Sequence, residues 1–306
     1  MKRIIAALLA LFLLGSCCLP VFASDGPVDE EANAPAEGTA LDIPAKSGLL
    51  LDVTTGTILY EKNAHEAMPP ASITKIMTML LVMEAIEKKS ITMADMVTCS
   101  EHAASMGGTQ IWLKENEQMS VHDLLKATAV ASANDAAMAL AEYVGGSEEG
   151  FVAMMNHKAE ELGMEDTVFH NPTGLDADGH LSSAYDVALM SRELLKHEGI
   201  TEFTSIWMDS LRDGKTELVN TNKLVRFYQG CTGLKTGTTD GAGSCVSVSA
   251  TRENMSLVSV VMGCATSKER FTSASKLLDY GFGSYVMVET GASSQNLAPV
   301  KVIGGV

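Results

Sequence analysis

Positive charge is scarce in this chain. Its 22 Lys and Arg residues stand against 38 Asp and Glu, a net charge of −16 over 306 residues. Nothing in that balance would neutralise a phosphate backbone, so a nucleic-acid partner is excluded, and the acidic excess serves solubility. Long apolar runs are also missing. The stretch from Ile4 to Leu14 is too short for a comfortable membrane span, and no other stretch is a candidate. Histidine is sparse and scattered: the seven residues include no His-x-x-x-His pair of zinc type, and Asp176-Ala177-Asp178-Gly179-His180 lacks the later oxygen ligands of a calcium loop and reads as a turn. No metal and no cofactor is therefore expected. No cysteine has a histidine partner in a recognisable arrangement, which removes thiol nucleophiles from consideration.

Hydrophobic residues make up 46% of the chain, ample for one large domain or two small ones. Residues 1–23 combine a basic start, Lys2-Arg3, the apolar run and small residues at Val21-Phe22-Ala23 before Ser24, which is the pattern of an export signal. A second reading competes with it: Leu14-Gly15-Ser16-Cys17 resembles a lipobox, in which a lipidated Cys17 would hold the protein to a membrane. Residues 24–46 are rich in Ala, Pro, Gly and acids without an apolar period and read as a flexible acidic linker. The ordered domain is expected over residues 47–290, with residues 291–306 as a tail.

Two apolar runs, Gly48 to Val53 and Ile58 to Asn63, flank Thr54-Thr55-Gly56 and predict a hairpin. From Ile73 to Ile206 the patterns are helical. Ile73 to Lys88 carries Ile76, Met79, Leu80, Met83 and Ile86 on one stripe. Val121 to Val130 follows the cap Ser120-x-x-Asp123, Asp135 to Val144 ends at Gly145-Gly146, Phe151 to Leu162 ends at Gly163, and Ala184 to Lys196 closes the set. Strands resume at Cys231 to Gly237, Ser244 to Ala250 and Leu257 to Cys264. The early hairpin pairs with this late meander, predicting an α+β fold in which a five-stranded antiparallel sheet is flanked by helices and joined to a mostly helical subdomain. With turns near Asp240 and Glu253, Cys231 faces Ser249, and Cys245 faces Lys235 or Val261. No two of the sheet cysteines, Cys231, Cys245 and Cys264, then sit opposite, and together with Cys99 they are expected to be free thiols.

Three clusters carry chemistry. In Ser72-Ile73-Thr74-Lys75 a serine and a lysine share one helix face a turn apart, so the amine can take the hydroxyl proton. Met68-Pro69-Pro70-Ala71 cannot be helix interior, which puts Ser72 at the helix start, where unpaired amides and the positive dipole end can hold an oxyanion. The other clusters are Ser132-Ala133-Asn134 and Lys235-Thr236-Gly237. Singly, Ser132 and Asn134 could merely cap the following helix, and Lys235-Thr236 could be an exposed strand end. In this order and spacing they act together.

The set resembles the penicillin-binding serine D-alanyl-D-alanine carboxypeptidases, the low-molecular-mass group related to serine β-lactamases. The resemblance extends to Asn171-Pro172-Thr173-Gly174-Leu175 with His180, Ser183 and Asp186, to Asn220-Thr221-Asn222-Lys223-Leu224, to Ala242-Gly243 and to Leu277-Leu278-Asp279-Tyr280-Gly281-Phe282. It implies an exported bacterial enzyme, acting at the cell wall or the outer face of the cytoplasmic membrane. Its substrates would be peptidoglycan stem peptides ending in D-Ala-D-Ala, and β-lactam antibiotics would inhibit it covalently. In cleavage next to a free carboxylate, Ser72 becomes acylated and Lys75 is its base, made neutral by burial and by the nearby cation Lys235. Lys235 and Thr236 attract the terminal carboxylate, Gly237 lets the strand approach the ligand, Ser132 passes a proton to the leaving amine, and Asn134 bonds a substrate amide. By resemblance, the backbone amide of Thr238 is the second oxyanion donor.

Two departures stand out. Some members carry an arginine just after the Val-Met-Gly of the last strand, where this chain has Cys264-Ala265 after Val261-Met262-Gly263, and Arg270 comes five residues late for a carboxylate grip. Relatives often continue into a β-rich second domain near where residues 291–306 stand. The competing functions are a β-lactamase and a penicillin sensor acylated on Ser72. A β-lactamase needs Glu-x-x-Leu-Asn, whereas Glu165-Asp166-Thr167-Val168-Phe169 lacks the Leu and Asn. A sensor needs a membrane-spanning transducer.

Overall fold

The computed structural model describes residues 41–288. The export signal, most of the linker, the Cys17 reading and the tail at 291–306 lie outside the described residues. In chain order the elements are β1 (Ser47–Asp52), β2 (Ile58–Lys62), α1 (Lys75–Glu87), β3 (Met96–Thr98), α2 (Glu101–Ala104), β4 (Gln118–Ser120), α3 (Val121–Val130), α4 (Asn134–Gly145) and α5 (Glu148–Leu162). They continue with α6 (Ala184–Leu194), α7 (Ile200–Thr204), β5 (Met208–Leu211), β6 (Thr216–Val219), α8 (Leu224–Phe227), β7 (Cys231–Thr239), β8 (Gly243–Arg252), β9 (Met255–Cys264) and α9 (Ser267–Ser284).

The hairpin and the meander do join, in the order β2-β1-β9-β8-β7, and every pairing is antiparallel. β1 zips onto β9 from Ser47 opposite Met262 to Asp52 opposite Leu257. Successive side chains on these strands point to opposite faces, and both faces are covered. Leu49, Leu51, Val258, Val260 and Met262 belong to the core shared with α1 and α6. Leu50 and Leu257 turn the other way onto α9, where a Cβ on Gly281 would come within 2.5 Å of Leu257 and 2.9 Å of Leu50. Coverage on both faces is why β1 reads as a continuous apolar run instead of an alternating one.

Several sequence expectations change. The linker ends sooner: Ile43 is fully buried and its carbonyl accepts from Lys62 Nζ at 2.8 Å, so residues from Asp42 belong to the domain. Helix α1 is not amphipathic. Every residue from Lys75 to Met83 is buried, because α1 runs through the interior and touches α3, α4, α5, α6 and β7. The helical stretch also contains the short ribbon β3-β4, and a second ribbon, β5-β6, follows α7; strands of three or four residues are too brief for alternation to show.

The cysteine register moves by two residues at Cys245, because the β7–β8 turn is centred on Gly241, and by one at Cys231, because β7 is bulged between Cys231 and Gly233. Cys231 faces Ala250 and Cys245 faces Gly237. Cys99, Cys231, Cys245 and Cys264 are free thiols, and burial pushes Cys99, Cys231 and Cys264 up to about 11, far from thiolate chemistry at neutral pH.

Candidate active site

Pro69-Pro70 brings the chain up to α1 without entering a helix. Ala71 then takes left-handed backbone (φ +49°), and Ala71–Thr74 form a 3-10 turn. Ser72 therefore sits in this tight turn and Lys75 is the first residue of α1, two residues after the predicted start at Ile73, because the chain leaves a left-handed residue before helical register can begin.

Lys75 is fully buried. Its Nζ lies 3.0 Å from Ser72 Oγ, 2.6 Å from Asn134 Oδ1 and 2.6 Å from the Thr173 carbonyl oxygen. The last two atoms can only accept. A neutral Nζ thus donates its two protons to them and keeps its lone pair for the Ser72 hydroxyl. Burial and the positive charge of Lys235 hold the Lys75 amine well below the usual lysine range, with the Asp135 carboxylate opposing them. An amine of this kind can take a proton from a neighbouring hydroxyl near neutral pH.

The second cluster lies between α3 and α4. Ser132 is buried and its backbone is left-handed (φ +64°). Asn134 opens α4, but its side chain does not cap that helix: Oδ1 accepts from Lys75 Nζ, Nδ2 donates to Gly107 O at 2.7 Å, and the backbone N–H donates to Thr109 O at 2.7 Å. Asn134 thereby ties Lys75 to the loop at 107–109.

The third cluster lies on β7, an edge strand. A Cβ on Gly237 would stand 2.9 Å from Ala71 Cβ, Pro70 O and Ser72 N, so the strand passes directly over the Ser72 turn and only glycine fits. Thr236 donates its hydroxyl proton to Thr221 Oγ1 at 2.7 Å. Lys235 is fully buried, and burial together with the charge of Arg270 pushes its amine down to about 7. A carboxylate bound beside it would raise that value again. Calorimetry in buffers of different ionisation enthalpy should therefore show net proton uptake when a carboxylate ligand binds at pH 8 and none at pH 6, where Lys235 already carries its proton. Buffer-independent heats at pH 8 would rule this out.

Arg270 lies against the end of β7. It reaches from α9, 7% exposed, and its Nη1 donates to Gly237 O (2.9 Å), Thr238 Oγ1 (2.8 Å) and Cys245 O (3.3 Å), bracing the end of β7. The loop Asn171–Leu175 also gains a part that the clusters alone did not reveal. Asn171 Oδ1 accepts from Thr173 N, Thr173 Oγ1 and Gly174 N at 3.1, 3.0 and 2.7 Å, an Asx turn that aims the Thr173 carbonyl at Lys75. Glu165, which a β-lactamase would need beside the serine, is exposed in the turn after α5.

A serine beside a buried lysine under an edge strand, within an α+β sheet-and-helix fold, defines a serine acyl-transfer enzyme. The comparisons with known proteins agree. Residues 31–266 match the S11 peptidase family of D-alanyl-D-alanine carboxypeptidases, and the chain belongs to that family. The D-alanyl-D-alanine carboxypeptidase DacF of Bacillus subtilis is 48% identical over 100% of this chain and 77% of its own length. Penicillin binding protein 6B from Escherichia coli superposes with a TM-score of 0.77 at 39% identity, covering 82% of this chain and 81% of that one. Penicillin-Binding Protein D2 from Listeria monocytogenes, in its ampicillin-bound form, superposes with a TM-score of 0.72 at 34% identity, over 79% of this chain and 99% of that one.

Proposed function

We propose that the chain removes the terminal D-alanine from peptidoglycan stem pentapeptides through an acyl-enzyme on Ser72. The observation that carries this is the set of three contacts on Lys75 Nζ, which leaves its lone pair for Ser72 Oγ. Ser72 Oγ attacks the carbonyl carbon of the penultimate D-alanine as its proton passes to Lys75 Nζ. The oxyanion is held between the backbone amides of Ser72 and Thr238. The C–N bond then breaks as Ser132 delivers a proton to the departing amine and takes in its place the one held by Lys75, so D-alanine leaves and Lys75 is neutral again. Water gives a proton to Lys75 as it attacks the ester carbonyl, and the C–O bond to Ser72 then breaks with that proton returning from Lys75 to Ser72 Oγ. Lys235 and Thr236 receive the substrate carboxylate, and Asn134 orients a substrate amide while holding Lys75. A β-lactam presents a similar carbonyl and carboxylate but no leaving group that can diffuse away, so it remains on Ser72 as a covalent inhibitor.

Such chemistry belongs outside the cytoplasm, at the bacterial cell wall. Residues 1–23 act as the export signal, residues 24–41 as the tether to a catalytic domain beginning at Asp42, and residues 291–306 follow that domain. A lipidated Cys17 would be the route to membrane attachment; among the described residues no helix is long and apolar enough to cross a membrane.

The test is D-alanine release from diacyl-L-lysyl-D-alanyl-D-alanine by the full chain and by Ser72→Ala. Release is expected from the first and only background from the second, with an unchanged melting temperature. A wild-type chain that takes up labelled penicillin on Ser72 yet releases no D-alanine would overturn the carboxypeptidase reading in favour of a sensor.

A further inference from the structure

His180 is buried, and the reaction scheme above gives it no task. Its hydrogen bonds fix its tautomer. The backbone N–H of His170 donates to Nδ1 at 3.0 Å, so Nδ1 is the acceptor and the ring proton sits on Nε2. Nε2 lies 2.9 Å from Thr74 Oγ1 and donates to it. The Thr74 hydroxyl proton is then free to go to the carbonyl oxygen of Ala71 at 2.8 Å. The result is a directed chain from His170 N–H to His180, to Thr74 and to Ala71 C=O. Burial, with the charge of His170 adding to it and that of Asp176 opposing it, holds the imidazole down to about 4, so the ring stays neutral and the chain stays intact at neutral pH.

Ala71 C=O belongs to the same planar unit as the N–H of Ser72. In a trans peptide the two point in opposite directions, so whatever fixes the carbonyl fixes the amide. The unit needs fixing, because Ala71 has left-handed backbone that an alanine adopts at a cost. Gly174 closes the other side: a Cβ there would lie 1.9 Å from Ala71 O and 2.8 Å from Thr74 Oγ1, so the loop leaves no room for the carbonyl to swing. On the opposite side of the plane Ser72 N faces β7 under Gly237. A carbonyl that accepts a hydrogen bond also polarises its own amide, which strengthens that amide as a donor.

We propose that His180 and Thr74 are positioning residues that aim the Ser72 amide at the developing oxyanion, which makes them part of the oxyanion site at one remove. This rests on the acyl-enzyme reading of Ser72 given above. Neither side chain touches the reacting atoms; each acts through the Ala71–Ser72 peptide.

The distinguishing variants are Thr74→Val, which keeps the shape and removes the hydroxyl, Thr74→Ser, which restores it, His180→Ala and His180→Gln, whose amide can both accept and donate. Two quantities are read on the full chain: kcat and KM for D-alanine release, and the affinity for a D-alanine boronic acid analogue, which bonds Ser72 Oγ through boron and puts an oxygen in the oxyanion site. Misaiming one donor should cost less than losing it, so Thr74→Val and His180→Ala are expected to lower kcat about tenfold and weaken the boronate by the same factor, with KM unchanged. Thr74→Ser and His180→Gln should recover most of both. An unchanged kcat in Thr74→Val, or a loss of kcat with boronate affinity intact, would overturn the proposal. So would a melting temperature that falls without recovery of kcat in Thr74→Ser. Failure of the underlying reading shows separately, as a wild-type chain that releases no D-alanine or a Ser72→Ala chain that still does.

Discussion

Replacement of Lys75 by methionine is expected to lower both D-alanine release and penicillin acylation by about 10³-fold or more, the upper range for loss of a general base. Methionine matches the length of the lysine stem and removes a charge-bearing group from a fully buried position, so the core around α1 should hold. Lys75→Arg should be equally inactive for a different reason: a guanidinium stays protonated and has no lone pair for the Ser72 proton. The pH dependence carries a sign. Lys75 works when neutral, so activity rises with pH through its depressed value and the acid limb of the profile reports it. The charge of Lys235 helps to depress that value. Lys235→Met should therefore move the acid limb of penicillin acylation to higher pH, besides weakening carboxylate binding. An acid limb that stays put, or Lys75→Met acylating within tenfold of wild type, would exclude Lys75 as the base.

The two halves of this site differed in how readable they were. Ser72, Lys75, Asn134 and Lys235 announce themselves because their chemistry demands particular side chains at particular spacings, and the sheet order followed from a hairpin at one end and a meander at the other. The groups that tune them are not of that kind. Thr173 acts through a carbonyl that every residue has, and it points at Lys75 only because Asn171 folds the loop. Gly174 matters for a clash that becomes visible once Ala71 is packed against it. Arg270 comes five residues late in the sequence for the family's carboxylate grip, and α9, packed on β8 and β9, brings it to the end of β7 at Gly237 and Thr238. The stripe assigned to α1 failed similarly, since a helix surrounded by other elements has no solvent face for a period to mark.

Asp135 is the position where a single change should do most harm to the fold. It follows Asn134 on the first turn of α4 and is fully buried, and its carboxylate accepts from Ile111 N (3.1 Å to both oxygens), Leu113 N (2.9 Å) and Ala136 N (2.9 Å). Three backbone amides thus share one buried anion at a helix N-terminus, where the dipole also favours it. Removing the acceptor strands donors that water cannot reach. Asp135→Ala should cost about 3–5 kcal/mol, the range for breaking a buried charged cluster, and lower the melting temperature by roughly 10 °C. Asp135→Asn keeps the volume but offers one accepting oxygen and turns an NH₂ toward the same amides, so most of the loss should remain. The damage should also reach the site by two separable routes. The loop released at 111–113 continues into Gly107 and Thr109, which hold Asn134 and through it Lys75. The anion itself raises the Lys75 value, so in Asp135→Asn the acid limb should move to lower pH, opposite to the shift in Lys235→Met. A melting temperature within 2 °C of wild type would show that the loop does not depend on this carboxylate, and opposite limb shifts in the two variants would place Lys75 between the two charges as the group that titrates.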